Sequence, residues 1–138
     1  MRHADYGDYF ISDDKRRLDE DTIVAFLSRS YWADKRSAER TLKSIANSRC
    51  YGVFAADRGQ IGFARVITDG ATMYYLCDVF VDEAWRGKGV GKNLVAFIVE
   101  AEEHQGMSGL LATKDAHGLY ESYGFVRDSE AYMRRPPQ

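Results

Sequence analysis

The spacing of hydrophobic positions changes several times along this chain, and each change marks an element. Tyr9-Phe10-Ile11-Ser12 is a short apolar run that predicts a first strand. Asp19-Glu20-Asp21 then places acids where a helix would start, which suits the positive end of a helix dipole. Ile23, Phe26 and Leu27 follow at helical spacing, and the polar-aromatic segment around Ser28, Tyr31 and Trp32 breaks that pattern. A second helix fits residues 37–47, with Ala38, Leu42 and Ile45 on one stripe. Strand patterns come next, over 51–56, 61–68 and 72–81, with turns at 57–60 and at Asp69-Gly70.

After Asp82 the pattern changes again. A glycine-rich loop, Arg86-Gly87-Lys88-Gly89-Val90-Gly91, leads into a helical stripe of Val90, Leu94, Phe97, Ile98 and Ala101 that extends to about His104. Residues 109–113 read as a strand, 115–123 as a short helix ended by Gly124, and 125–126 and 131–133 as final strands. The predicted order is β-α-α-β-β-β-α-β-α-β-β. Strand, loop, helix, strand is a crossover unit, so the third meander strand and the strand at 109–113 should run parallel. The expected fold is α+β: a mixed central sheet with an antiparallel N-terminal meander, a parallel β-α-β crossover and flanking helices.

Composition narrows the function classes. The 138 residues suit one domain spanning 1–138, and 45% hydrophobic with 29% charged residues is an ordinary globular mixture. A net charge of −2 argues against a generally basic nucleic-acid binder. The longest apolar run, Leu94 to Val99, is far short of the roughly 20 residues of a membrane helix. The first residues carry no apolar signal core, and Cys50 and Cys77 make no disulfide framework. The expectation is a cytoplasmic protein with reduced thiols and no membrane or nucleic-acid partner. No Cys/His spacing suggests a metal site.

The glycine loop carries the sharpest chemistry. Where a strand hands over to a helix, the first-turn N–H groups lack partners and the dipole is positive. Glycines let the backbone approach an anion closely, which makes a phosphate cradle. Arg86, Lys88 and Lys92 concentrate positive charge there in an otherwise slightly acidic chain. A nucleoside-triphosphate P-loop is excluded, because Arg86 stands at its first glycine and Asn93 follows Gly91-Lys92. A dinucleotide fingerprint fails as well, with Lys92 at its third glycine. A purely structural turn remains the alternative.

Arg86-x-x-Gly89-x-Gly91 resembles the acyl-CoA signature of the GNAT superfamily of N-acetyltransferases. Leu76-Cys-Asp-Val-Phe-Val81 looks like that family's fourth strand, and Ala116-x-x-x-Tyr120-x-x-x-Gly124-Phe125 resembles its C-terminal motif. The resemblance covers the chain by element order and is sharpest from Leu76 to Phe125. It implies a GNAT-like acyl-CoA N-acyltransferase fold with acetyl-CoA as co-substrate. It implies that the CoA pyrophosphate sits on the loop Arg86, Gly87, Lys88, Gly89, Val90, Gly91 and Lys92. It places the pantetheine arm, as an added strand, along Val79, Phe80 and Val81. Tyr120 then matches the tyrosine that protonates the departing thiolate. Where the family often has an Asn contacting the CoA arm, this chain has Thr113, which can still hydrogen-bond. Where some members have a glutamate base it has Tyr75, which leaves the general base unassigned.

Asp78 lies in an apolar strand and needs a partner if buried. It reads as a base with raised pKa, as a binder of a cationic amine, or as a structural carboxylate. Strand alternation puts Cys77 on the face opposite Asp78, as a small hydrophobe. His117 shares a helix face with Tyr120, and Tyr31 and Trp32 border the expected acceptor side. Two function classes follow. One is an enzyme moving the acetyl group of acetyl-CoA to a primary amine of a small molecule or peptide, by direct attack in a ternary complex. The other is a non-catalytic acyl-CoA-binding or sensing domain. The acceptor is not legible, and a homodimer is left open by the resemblance.

Overall fold

The computed structural model describes residues 1–137. Six strands form one sheet in chain order: β1 (His3–Asp5), β2 (Tyr9–Ser12), β3 (Arg49–Ala55), β4 (Gly59–Thr68), β5 (Met73–Val81) and β6 (Ser108–Leu110). The first five pair antiparallel, and β6 joins β5 in parallel, as the crossover requires. Helices α1 (Glu20–Ser28) and α2 (Ala38–Ala46) lie between β2 and β3, α3 (Val90–Val99) between β5 and β6, and α4 (His117–Glu121) follows β6.

Helices α1 and α2 start where the sequence pattern put them, each behind a side-chain cap. The Asp19 side chain accepts from Thr22 N–H at the start of α1, and Ser37 accepts from Arg40 N–H at the start of α2. Each sheet face then buries its own cluster. Leu94, Val95 and Ile98 of α3 pack with Ile11, Val53, Val66 and Leu76 on one face. Ile23, Phe26 and Leu27 of α1 and Ile45 of α2 pack with Phe63 and Phe80 on the other.

Four expectations are corrected. The polar segment His3–Asp5 is a strand, made by its pairing with β2 rather than by any hydrophobic pattern. The third helix stops at Val99 instead of continuing to about His104, because Glu100, Glu102 and Glu103 put negative charge at its negative end. Ala101 and His104 are still buried there, through a short 3-10 turn. The strands predicted at 125–126 and 131–133 do not form. Val126 and Met133 are 83% and 94% exposed, so no neighbouring strand rewards their extension with burial.

Cys77 is the fourth. Before Asp78, Tyr74 and Leu76 face α3; after it, Val79 and Val81 do. The phase slips at Asp78, where the ladder with β4 is irregular and φ is +53°. Cys77 therefore shares the α1–α2 face with Asp78, and feels the charges of Asp78, Arg65 and Arg36. Burial pushes its thiol up to about 11, so it is inert at neutral pH.

The close approach of β6 to β5 depends on a glycine. A Cβ at Gly109 would lie 2.6 Å from the Tyr74 hydroxyl. Tyr74 is held by stacking on buried His104, whose ring bonds Ile98 O at 2.7 Å. Gly109→Ala is expected to cost about 1–3 kcal/mol by overpacking; urea unfolding checks this, with Gly118→Ala, where a Cβ meets nothing within 4 Å, as the comparison.

Candidate active site

The two parallel strands meet only briefly. β6 pairs with Met73, Tyr74 and Tyr75 of β5, and no ladder bond joins the strands beyond that point. The β5 edge from Leu76 to Val81 is thus left without a strand neighbour on the β6 side. Unpaired backbone groups on an edge are a template for another extended chain. Val79, Phe80 and Val81 lie on this stretch.

At the end of the same strand the chain turns into α3. Gly87 and Gly89 have φ of +77° and +83°, a region that disfavours any side chain, and a Cβ on either would point into open space. Gly89 is the N-cap of α3, and no side chain caps this end. Asn93 N–H makes the first helical bond, to Gly89 O at 3.0 Å. The N–H groups of Val90, Gly91 and Lys92 therefore point outward without intrahelical partners. Gly91 lies against Val81, 3.7 Å from its Cγ2 to the position of a Cβ, which sets the helix end on the strand end. Arg86 folds back: its Nε donates to Val81 O at 2.9 Å and its guanidinium sits 4.9 Å over the Phe80 ring. Part of its work is to fix the turn. Lys88 lies 5.0 Å over the Trp85 ring, and the Lys92 carbonyl accepts from the Tyr123 hydroxyl at 3.1 Å.

Asp78 is the most heavily engaged side chain of the site. Its carboxylate accepts from Trp32 Nε1 at 3.0 Å, from Arg36 Nη1 and Nη2 at 2.8 and 3.2 Å, and from Arg65 Nε at 2.9 Å. These four bonds use about all the lone pairs a carboxylate has. Burial pushes the Asp78 carboxyl up, but the Arg36 hydrogen bonds and the two guanidinium charges outweigh it and hold it below the usual range. The reading of Asp78 as a base with raised pKa is corrected on this ground. So is that of a direct ammonium binder, because its oxygens are taken. The structural carboxylate is the form the fold contains.

Tyr120 is buried at 8% exposure, in the cluster beneath β5 and packed edge-on against Phe125. Burial, then the neighbouring Tyr31 phenol and Asp115, push its hydroxyl up to about 12. It is fully protonated at neutral pH. Thr113 Oγ1 accepts from Ala116 N–H at 3.1 Å, which turns the chain toward α4 and leaves the hydroxyl proton free to donate. Thr113, His117 and Tyr120 line a cleft of about 1000 Å³ between β6, α4 and residues 125–132.

The segment between α1 and α2, legible in sequence as a broken helix pattern whose Tyr31 and Trp32 border the expected acceptor side, ties the two strands together. Tyr31 Oη accepts from Lys114 N–H at 2.9 Å, beyond β6, while the adjacent Trp32 bonds Asp78 on β5. The two rings pack edge to face at 5.0 Å. One loop thus holds both arms of the splay. Arg36 and Arg65 supply the ion-pair partners of Asp78; no local pattern singled out Arg36, and the signal for such a partner was a carboxylate in an apolar strand, which demands one. Among the described residues no group of His, Cys, Asp and Glu is placed to hold a metal, and no helix is long and apolar enough to cross a membrane.

Comparison with known proteins bears on this arrangement. Residues 47–127 match the family model described as Acetyltransferase (GNAT) domain. A Gibberella zeae protein provisionally named an acetyltransferase is 30% identical over 114 residues, 69% of this chain and 64% of its own length. The chloroplastic GCN5-related N-acetyltransferase 2 of Arabidopsis thaliana is 36% identical over 72 residues, 51% of this chain and 28% of its own. The chain thus spans less than two thirds of these curated relatives. A provisionally assigned GNAT-family acetyltransferase from Xanthomonas campestris pv. campestris superposes with a TM-score of 0.88 at 37% identity, covering 97% of this chain and 95% of that one.

The ion cluster makes a prediction. Asp78→Ala leaves two largely buried guanidinium groups uncompensated and is expected to cost about 3–5 kcal/mol, read by urea unfolding. The native carboxyl titrates below the unfolded one, so its contribution is full above the ordinary value of about 3.9 and fades as pH falls through the lower native value. Wild type should lose stability in that acid range more steeply than Asp78→Asn.

Proposed function

The chain belongs to the GNAT acetyltransferase family, and on that premise we propose that it transfers the acetyl group of acetyl-CoA to a primary amine by direct attack within a ternary complex. The observation that carries this reading is the meeting, at the end of β5, of an open strand edge and an uncapped helix N-terminus. An elongated ligand with an amide-bearing arm and a pyrophosphate matches both at once. In the proposed complex the arm pairs with the backbone of Val79, Phe80 and Val81. The pyrophosphate rests on the N–H groups from Gly87 through Val90 and Gly91 to Lys92, with Arg86 and Lys88 adding charge.

The amine lone pair attacks the thioester carbon, forming the C–N bond while the carbonyl electrons move to oxygen. The Val79 N–H faces that oxyanion in this scheme. Collapse breaks the C–S bond, and the sulfur leaves with the electron pair. Tyr120 donates a hydrogen bond to it as charge develops. A phenol raised to about 12 is a weaker acid than a thiol of about 8.5, so its role is to stabilise the departing sulfur. Solvent completes the protonation of the sulfur; the acceptor ammonium gives one proton to water before its lone pair attacks, and the adduct nitrogen gives a second to water as the amide forms. Amine and acetyl-CoA thus become amide and free CoA thiol, with no covalent enzyme intermediate. Thr113 is assigned to the CoA arm through its free hydroxyl proton. Asp78 positions the strand and the facing loop, and does not exchange a proton.

Two measurements test this. Acetyl-CoA at a hundred times its dissociation constant should add about 2.7 kcal/mol to unfolding, with no comparable effect from adenosine triphosphate or NAD; Gly89→Ala, strained at positive φ, should reduce that gain. Tyr120→Phe should retain acetyl-CoA binding and lower kcat by about a hundredfold. An unaltered kcat would remove Tyr120 from the mechanism.

A further inference from the structure

The acceptor side of the splay carries an imbalance of charge. Arg36 and Arg65 both turn to the single carboxylate of Asp78, and Arg65 Nη1 donates to the neutral Ser48 hydroxyl at 3.1 Å. Two guanidinium charges against one carboxylate leave one positive charge in excess. It sits against low-dielectric walls, because the Arg65 and Arg36 side chains are only 10% and 25% exposed. No second acid pairs with either arginine among the described residues. The Asp78 oxygens are filled, so none remains for a substrate ammonium.

The position of this charge matters as much as its sign. Arg36 follows the loop whose Tyr31 and Trp32 hold the two arms of the splay, and those rings are 49% and 41% exposed. Lys114 adds a further cation at the rim, 5.7 Å over the Tyr31 ring. Asp34 of this loop is exposed beside the equally exposed Lys35 and pairs with neither arginine, whereas Asp115, beside Lys114, is close enough to Tyr120 to raise its phenol. Charge is therefore graded across the mouth. The arginine end favours an anion, and the Tyr120 end, where the acetyl group would be delivered, favours an ammonium.

We propose that the acceptor is a compact amine that also carries an anionic group, a carboxylate or a phosphate, and that Arg36 receives this group through its exposed edge. This rests on the acetyltransferase reading above and specifies its substrate. Arg36 is the arginine for the contact because it is the more exposed of the two and its fork geometry suits either oxyanion. Arg65 is a positioning residue that keeps Asp78, and so Arg36, in place. Polyamines and lysine-rich segments, which bring only positive charge, are disfavoured by the same imbalance.

Matched amines test it, with release of CoA thiol as the readout: L-phenylalanine against phenethylamine, L-leucine against isoamylamine, and phosphoethanolamine against ethanolamine. At least one anionic member should exceed its neutral partner by about tenfold or more in kcat/KM, and whether carboxylate or phosphate wins identifies the anion. Arg36→Gln should erase that preference through KM for the amine, Arg36→Lys should restore part of it, and KM for acetyl-CoA should hold. Preference for the neutral members, or an equal loss on both members of a pair in Arg36→Gln, overturns the proposal. Should no pair turn over, thermal unfolding with CoA plus N-acetyl-L-phenylalanine, N-acetyl-L-leucine or N-acetylphosphoethanolamine decides, against N-acetylphenethylamine. No added stabilisation by any anionic product overturns the proposal. Stabilisation by acetyl-CoA alone in the same experiment keeps the acetyl-CoA reading standing apart from it; its absence brings down both.

Discussion

The Asp78 carboxylate is the point on which the site is hung. It sits in a left-handed bulge of β5 and is gripped from three directions: by Trp32 on the loop after α1, by Arg36 ahead of α2, and by Arg65 on β4. A charge so buried is tolerated only when paired and hydrogen-bonded. That requirement makes the contact specific, because the loop and the strand have to arrive in one relative placement to satisfy it. The bulge also reverses the facing of the strand, sending Val79 and Val81 to the α3 side just where the edge becomes free.

From that anchor the remaining features follow in order. β6 leaves β5 after Tyr75, and the strands are not drawn together again because the loop bridging them holds each arm separately. The open edge leads directly to a helix start that no side chain caps. Both are stretches of unsatisfied backbone, normally a liability. Placed end to end, they form a continuous set of donors and acceptors, the one that the proposed acetyl-CoA complex uses. The glycines at 87 and 89 matter here for their positive φ, which aims the turn without filling it.

The charge distribution adds direction to this groove. Cations cluster at the helix start, where Arg86, Lys88 and Lys92 stand, and again around Asp78 at Arg36 and Arg65. Arg86 is already committed to Val81 O and the Phe80 ring, and Arg65 to Asp78 and Ser48. Several charges that look like ligand contacts thus have structural duties, and only their exposed edges are available for binding.

Much of this was legible in the sequence, for a physical reason. The starts of the helices near Asp19, Ser37 and Val90, the turn at Asp69 and the glycine loop are local: each is encoded by residues a few positions apart, and each formed where the pattern put it. The ordered pair of motifs from Leu76 to Phe125 was enough to point to the family. What the pattern missed was set by distant partners. His3–Asp5 is a strand because β2 accepts it, and 125–133 is not, because nothing does. The facing of Cys77 depends on one residue's φ, which alternation does not foresee. Above all, the sequence could say that a carboxylate in an apolar strand needs partners. Only the folded chain, which brings residues 32, 36 and 65 to residue 78, decided that the partners would include two cations, whose bonds fill the Asp78 oxygens and hold its carboxyl below the usual range.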